Sequence, residues 1–462
     1  MNNVKEVEVA NYKEPILPIH RGNPLVEALP FIPDDGEELY NVLRSPIMYK
    51  QEQRLLPHGE RYEYTNMLSQ IFQPWGIHFE IVRRINMAIK GGYTSRNPLS
   101  AGYYQDLTKI ASSVAGKSGP IKTLIFSNAQ APGFSIIGTS GTGKTTAIKR
   151  ILSVFFPQKI LHEEYHGEPF PHLQLVWMYL SCPTDGGIKG LCTEFFLEFD
   201  RLTGSNTLQK YGDTRNSVNR MIAQMSLLVR RHSLGALVID EIQRLNMAKS
   251  GGKERMLDYL AMMMDQLGIP IIVIGTESAM DVLKSSFVTA RRLTGSQGNV
   301  VMRNLAYGDG DWDILMSGIW PYQWTKEKTP LDESLKRAFH QVTNGNVALT
   351  VNLYCWVQQD AIQLGRGGAS ETITPKLIQS VARSDRFAAL RDSYSFTDAI
   401  MDTESKKQKR TKQKMETSSK MSDQIEKPKR KKDDPLDNWE DGTLEETLLA
   451  KGLLARSEEE NL

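Results

Sequence analysis

A glycine-rich loop between an apolar run and an amphipathic run constrains the fold more than any other feature of this 462-residue sequence. Residues 134–137 form a short apolar run, which is typical of a buried strand. Apolar residues keep helical spacing over Thr145–Phe156, and the loop between the two runs matches the pattern G-x-x-x-x-G-K-[ST] in full. A strand, a glycine turn and a helix in this order predict an α/β fold whose loop cradles a phosphate group.

The loop predicts a nucleotide site that uses Mg²⁺. Glycines let backbone N–H groups turn inward around a phosphate, and the N-terminus of the following helix adds partial positive charge. Lys144 can bridge the β- and γ-phosphates, and the Thr145 hydroxyl can ligate Mg²⁺. A chance glycine-rich turn is the alternative, and the strand–helix context makes it rare. The predicted phosphate-binding residues are Gly138, Thr139, Ser140, Gly141, Thr142, Gly143, Lys144, Thr145 and Thr146.

An apolar strand that ends in two acids predicts the second half of this site. Residues 236–239 are apolar and are followed by Asp240 and Glu241. The tip of a buried strand lies at the carboxyl edge of the sheet, where such folds bind ligands. Asp240 would hold Mg²⁺ through water, and Glu241 would polarise an attacking water. The alternative is that both acids merely cap the next helix.

Two further features extend the predicted catalytic set. Residues 271–275 form another apolar strand that ends at Thr276, which could orient the same water or simply cap the helix that follows. Arg291 and Arg292 come after that helix. One of them could reach the γ-phosphate of a neighbouring subunit and stabilise charge in the transition state, and the alternative is a surface ion pair.

The order of patterns along the chain predicts five regions. Residues 1–60 contain several prolines and are expected to form an extended arm, and residues 61–132 form a helical extension. Residues 133–306 alternate strands with helices, which predicts a mostly parallel sheet wrapped by helices, with strands at 134–137, 173–180, 235–239, 270–275 and 299–302. Residues 307–394 are expected to form a small helical lid, and residues 395–462 a disordered charged tail.

Composition excludes several classes of protein. Apolar residues make up 40% of the chain, and no apolar run approaches the roughly 18 residues that span a bilayer. The N-terminus resembles no secretory signal, and three cysteines make no disulfide framework, so we expect a cytoplasmic protein without membrane contact. The net charge of +2 conceals two opposed runs. Lys406–Lys432 holds twelve basic and three acidic residues, whereas Asp433–Leu462 holds two basic and ten acidic residues.

The motif order resembles that of the AAA+ ATPases, and within them it is most similar to the TnsC/TniB type of transposition regulator. The resemblance runs from about residue 21 to about residue 390. It departs from many AAA+ lids at Gly345–Thr350, where an arginine aimed at the nucleotide is missing. The stretches that carry the resemblance are Arg21–Pro30, Phe72–Pro74, Gly91–Tyr93, Arg96–Pro98, Leu237–Gln243, Ser250–Gly252, Ile274–Thr276 and Ala290–Arg292.

The resemblance implies ATP as the nucleotide and a homo-oligomer on double-stranded DNA. Such proteins form rings or filaments, with six or seven subunits per turn expected here. They link a target-site selector protein to the transposase and its companion endonuclease in bacteria, and ATP turnover controls disassembly. Contact with the DNA backbone needs basic residues, and no base-reading element is apparent, so binding should ignore sequence. The candidates are Lys189, Lys210, Arg215 and Arg220, although each could be a solvated surface charge.

Other functions remain open at the level of sequence. A replication initiator or helicase loader would carry a DNA-reading domain, and residues 331–392 look too short for one. A nucleotide-gated signalling ATPase would carry a sensor or effector domain. A small-molecule kinase would not need the arginine pair or Glu241. The basic run could bind nucleic acid or act as a linker, and the acidic run could dock a partner subunit or only keep the chain soluble.

Overall fold

The computed structural model describes residues 7–118, 131, 133–212, 216–247, 252–265, 267–280 and 298–394. Eight strands lie in these ranges: β1 (Glu8–Val9), β2 (Phe134–Gly138), β3 (Lys159–Tyr165), β4 (Glu168–Leu175), β5 (Trp177–Ser181), β6 (Ala236–Asp240), β7 (Ile271–Gly275) and β8 (Asn299–Met302). The predicted tail lies outside the described residues.

A five-stranded parallel sheet forms the centre of the molecule, in the order β5-β6-β7-β2-β8. Every residue of β2, β6 and β7 is buried, as expected for strands that helices cover on both faces. The register pairs Ile137 with Gly275 and Ser181 with Asp240. The carboxyl ends of adjacent strands therefore meet at one edge, and the predicted parallel α/β fold is confirmed.

Helices cover this sheet on both faces. The described helices between the loop and β7 are α6 (Lys144–Phe155), α7 (Ile188–Thr203), α8 (Thr207–Tyr211), α9 (Val218–Arg231) and α10 (Gly252–Asp265). One apolar cluster joins α7, α9 and α10 to one face of the sheet. A second cluster joins α6 and the N-terminal helices to the other face. Alternate strand residues feed the two clusters, which is the pattern that a pleated sheet requires.

Helical segments interrupt the N-terminal region that we expected to be extended. They are α1 (Pro24–Glu27), α2 (Gly36–Leu43) and α3 (His58–Tyr64), with 3₁₀ turns at Pro18–His20, Gln51–Leu55 and Thr65–Gln70. Two longer helices follow, α4 (Gly76–Thr94) and α5 (Ala101–Val114). α4 continues through both Gly91 and Gly92 to Thr94. A glycine is required at position 92 because a Cβ there would lie 2.7 Å from the Pro270 ring.

The C-terminal part of the described chain is helical. It contains α11 (Gly310–Ile319), α12 (Glu333–Thr343), α13 (Val347–Arg366) and α14 (Pro375–Ala382), and residues 385–394 are also helical. These helices share one apolar cluster with Leu68 and Trp75. The segment before α4 therefore packs with the C-terminal helices, while α4 itself packs with the sheet.

The sequence misread one part of the sheet. The predicted strand at 173–180 is two strands, because residues 173–175 end β4 and residues 177–180 belong to β5. β3 and β4 form an antiparallel hairpin that pairs with β1 in a separate three-stranded sheet. This hairpin was missed because its exposed strand residues are glutamates and prolines, which are uncommon in strands and mask the alternation typical of them.

Candidate active site

The glycine loop turns directly from the end of β2 into α6. Gly141 and Gly143 have φ angles of +82° and +91°, a left-handed conformation that favours glycine. Gly138 packs against the Met302 backbone so closely that a Cβ would lie 1.9 Å from its carbonyl oxygen. Two glycines therefore set the turn and one sets the packing of β2 on β8.

Lys144 begins α6 and folds back over the loop. Its ammonium nitrogen Nζ donates to the carbonyl oxygens of Gly138 at 2.6 Å and Thr139 at 2.7 Å. The side chain is buried. A cation buried beside the N-terminus of a helix suits an anionic ligand such as a triphosphate.

Thr145 and Asp240 bring two oxygen ligands together at the loop. The Thr145 hydroxyl donates to Asp240 Oδ2 at 2.6 Å, and the Tyr179 hydroxyl donates to the same oxygen. An all-oxygen donor set of hydroxyl and carboxylate fits Mg²⁺. Burial, followed by the hydrogen bond to Asp240, raises the pKa of Tyr179 well above its usual range, so the phenol keeps its proton. Sequence reasoning missed Tyr179, which only the pairing of β5 with β6 brings to Asp240.

Glu241 follows Asp240 in an unusual backbone conformation. Its φ angle is +59°, and its N–H donates to Asp240 Oδ1 at 2.7 Å. Gln243 then connects two predicted catalytic residues: its Nε2 donates to Glu241 Oε2 at 2.6 Å, and its Oε1 accepts from the Thr276 N–H at 3.2 Å. The Gln243 side chain is buried. It therefore fixes the position of the Glu241 carboxylate relative to the end of β7.

Thr276 lies at the same edge of the sheet, one residue beyond β7. Its hydroxyl shares a hydrogen bond of 2.8 Å with the Ser278 hydroxyl. The Thr276 carbonyl accepts from the Ala279 N–H at 2.9 Å, so the residue also begins the next turn. The water-orienting role and the capping role remain compatible in this position.

These residues line one end of a cavity of about 370 Å³. We call it the phosphate end; it comprises Ser140–Thr146, Asp240, Glu241, Gln243 and Thr276. The other end, which we call the base end, is lined mainly by apolar and aromatic side chains. The base end comprises Leu68, Ser69, Ile71, Phe72, Gln73, Trp75, His78, Leu315, Ile319, Val347, Val351, Asn352 and Tyr394.

The start of α13 touches the glycine loop where an arginine was missing from the sequence. Asn346 caps α13 by accepting from the Leu349 N–H, and its Nδ2 donates to the Ser140 carbonyl at 2.8 Å. The Ala348 N–H donates to the Gly141 carbonyl at 3.0 Å. The C-terminal helices thus contact the loop through polar groups without charge.

Three of the stretches that carry the family resemblance contact one another and lie away from the cavity lining. Asn23 Nδ2 donates to the Tyr93 carbonyl at 2.9 Å, and Asn97 Nδ2 donates to the Gly22 carbonyl at 2.8 Å. The buried Arg96 donates to the carbonyls of Gly92 and Leu234. These residues tie the N-terminal segment to α4 and to the turn before β6, which is a structural role.

The candidate DNA-binding residues lie on separate helices. Lys189 is half-buried in the first turn of α7, Lys210 is exposed on α8, and Arg220 is exposed in the first turn of α9. Arg215, Arg291 and Arg292 lie outside the described residues, so the structure places neither the fourth DNA candidate nor the arginine pair. These assignments stay predictions.

Over the ranges that the structure covers, no helix is both long enough and apolar enough to cross a lipid bilayer.

Comparison with known proteins finds one family match, in the middle of the chain. The family model described as "AAA domain" matches residues 129–283, about a third of the chain. No curated protein sequence matches significantly. Three solved structures illustrate the likeness in fold, all with TM-scores that carry no information about what this chain binds. The Walker-type ATPase Paby2304 of Pyrococcus abyssi has a TM-score of 0.36 and 13% identity, over 62% of this chain and 73% of that chain. Cdc6p from Pyrobaculum aerophilum has a TM-score of 0.37 and 14% identity, over 61% of this chain and 66% of that chain. The Orc2 protein of Aeropyrum pernix has a TM-score of 0.37 and 12% identity, over 62% of this chain and 68% of that chain. Residues 129–283 therefore match an AAA domain in sequence, and the parallel sheet that they form with β8 has the P-loop AAA+ fold.

Proposed function

We propose that this protein is an ATP-dependent regulator of DNA transposition that oligomerises on double-stranded DNA. It links a target-site selector to the transposase and its endonuclease partner, and ATP hydrolysis controls disassembly. The ATPase part is supported by one observation, the convergence of the glycine loop, Asp240, Glu241 and Thr276 on one cavity. The transposition part is supported by the resemblance in sequence.

The residues support hydrolysis without a second substrate. Lys144 and the loop amides bind the phosphates, and Thr145 with Asp240 would hold Mg²⁺, which neutralises charge on the phosphates when bound. Glu241 accepts the proton of the attacking water, and Thr276 orients that water. Gln243 holds Glu241 until the nucleotide is in place. The products are ADP and inorganic phosphate.

Oligomerisation completes the proposed site. Arg291 or Arg292 of a neighbouring subunit would stabilise transition-state charge on the γ-phosphate. Lys189, Lys210, Arg215 and Arg220 would contact DNA phosphates without reading bases, so affinity should fall as salt rises. The protein would accordingly act on DNA in the bacterial cytoplasm.

Imaging of the purified chain tests this proposal. Samples contain ATP, Mg²⁺ and random duplex DNA, and matched samples lack nucleotide or carry Lys144→Ala. We expect rings or filaments on DNA that require both ATP and Lys144. Lys328→Ala, an exposed lysine on the lid, is the matched control and should assemble normally. ATP hydrolysis by particles that ignore DNA would overturn the transposition regulator and leave the ATPase.

A further inference from the structure

One buried histidine at the base end has a donor without a protein partner. His78 lies in the first turn of α4 and lines the cavity, with only 1% of its surface exposed. Its Nδ1 accepts a hydrogen bond of 3.1 Å from the Trp75 N–H. Among the described residues, Nε2 has no hydrogen-bond partner.

The hydrogen bond to Trp75 fixes the form of the ring. A neutral imidazole carries one proton, and a nitrogen that accepts a hydrogen bond cannot carry it. Burial lowers the pKa of His78 to about 3, so the ring stays neutral at physiological pH. Nε2 therefore bears the proton. Nδ1 faces the Trp75 N–H at the start of the helix, and Nε2 lies on the other side of the ring. The base end thus contains a fixed N–H donor.

The surroundings of His78 suit a flat aromatic ring. The ring centroids of Phe72 and Trp75 lie 5.0 Å and 4.2 Å from that of His78, and Leu315 and Ile319 add aliphatic walls. The amide nitrogens of Gln73 and Asn352 already donate to Tyr40 and to the Ala348 carbonyl. Nε2 is not one of the fully buried atoms that lack a partner, so this donor is accessible from the cavity and can donate to a ligand nitrogen there.

We propose that His78 is the base-reading residue of the nucleotide site and that its Nε2–H donates to a ring nitrogen of adenine. This inference rests on the proposed ATPase function, because the glycine loop must hold the phosphates of the same nucleotide. Adenine offers bare ring nitrogens as acceptors and carries one exocyclic amino group. Guanine adds a carbonyl and a second donor, which the apolar walls would leave unpaired.

Deaza analogues test the contact atom by atom. Calorimetric titration compares ADP with 1-deaza-, 3-deaza- and 7-deaza-ADP, each of which replaces one ring nitrogen by C–H. We expect one analogue to bind the wild-type protein about tenfold more weakly than ADP, the loss of one hydrogen bond to a buried donor. In His78→Phe that difference should shrink to less than about twofold.

Two further variants test whether the weaker binding of a deaza analogue comes from His78 itself. Trp75→Phe removes the indole N–H of the neighbouring ring but keeps the backbone N–H that donates to His78. The weaker binding of one deaza analogue relative to ADP should therefore persist in this variant. His78→Gln preserves a capping side chain at the third position of α4 if His78→Phe does not fold. The proposed contact between His78 and adenine would be overturned if this difference in affinity disappears in Trp75→Phe or persists in His78→Phe.

The wild-type protein alone distinguishes the two proposals. Equal binding of ADP and all three deaza analogues, together with weaker ADP binding in Lys144→Ala, would overturn the role of His78 and leave the phosphate site. Failure of the wild-type protein to bind ADP at all would overturn both.

Discussion

The phosphate end and the base end of the cavity are built in different ways. The phosphate end comes from three short contiguous motifs, each at the carboxyl end of a strand of one sheet. The base end comes from residues 68–78, 315–319, 347–352 and 394, which are separated by long stretches of chain. The residues proposed to bind phosphate are therefore encoded locally, whereas the proposed environment of the base depends on how distant helices pack.

The largest expected effect belongs to the phosphate end. Glu241→Gln keeps the shape of the side chain and removes the general base, so we expect kcat for ATP hydrolysis to fall by about 10²–10⁴-fold. Nucleotide affinity should change little, because the glycine loop and Lys144 remain intact. A phosphate-release assay measures the rate, and calorimetry measures ADP binding.

Gln243→Met, which adds no charge beside Glu241, provides the contrast to that variant. It leaves Glu241 in place but removes the amide donor that holds its carboxylate. We expect partial activity, clearly above that of Glu241→Gln. Equal loss in both variants would mean that Gln243 itself takes part in the chemistry, and full activity in Glu241→Gln would remove Glu241 from its proposed role.

The difference between the two ends explains what the sequence could predict. Adjacent parallel strands end at one edge, so the loop, Asp240 and Thr276 could be placed together once the strands were recognised. Tyr179 and Gln243 were not predicted as site residues, although Gln243 lies only two positions after Glu241. Tyr179 reaches Asp240 only through the pairing of β5 with β6, and that pairing was obscured when β4 and β5 were read as one strand.

The base end could not be derived from pattern. Phe72, Gln73 and Pro74 were noted as part of the family resemblance, but nothing local indicates that they face a nucleotide. Their position depends on Ser45, whose backbone pairs with Phe72, and on the packing of Leu68 and Trp75 against the C-terminal helices. The Ser45–Phe72 pairing spans 27 positions and the contacts of Leu68 and Trp75 span more than 200, and periodicity carries no information about either.

An ion pair joins α3, which precedes the base-end residues 68–78, to the loop between α13 and α14. Arg61 and Glu371 are both buried, and two guanidinium nitrogens donate to the two carboxylate oxygens. Burial acts to raise the pKa of Glu371, but hydrogen bonds from Arg61 and from the Lys326 N–H outweigh it and lower the pKa overall. Arg61→Met leaves this carboxylate buried without its guanidinium partner, with only the Lys326 N–H still donating to it, so we expect a loss of about 3–5 kcal/mol in the free energy of unfolding. Urea titration measures it.

Two comparisons sharpen that prediction. Arg201→Met breaks an exposed pair with Glu198 on α7 and should cost no more than about 1 kcal/mol. In Arg61→Met, backbone amides of residues 58–70 should exchange with solvent faster, while those of residues 138–145 stay protected. Equal deprotection of both segments would show that the base end and the phosphate end unfold together.

The smallest expected effect is a dependence of stability on pH that comes from the base end and not from the phosphate end. Of the described residues, His78 is the only histidine that lines the cavity, and it lies at the base end. Its pKa in the folded chain, about 3, is below the unfolded value of 6.5, so the unfolded state binds more protons between these values. Stability from this group is complete above pH 6.5 and is lost as pH falls below it, by about 1.4 kcal/mol per pH unit. His172, whose pKa is likewise lowered to about 3 by burial and then by His162 and His232, adds a similar dependence from the small sheet.

Urea titrations of the nucleotide-free protein at pH 7.5, 6.5 and 5.5 measure this dependence. We expect His78→Phe to reduce the loss of stability between pH 6.5 and 5.5 by about 1 kcal/mol relative to wild type. His166→Asn is the control, because His166 is exposed and asparagine tolerates its left-handed backbone. An unchanged pH dependence in His78→Phe would mean that water or a bound ion solvates the ring in solution. The base end would then be an open, polar cleft and would no longer differ from the phosphate end in the way its packing indicates.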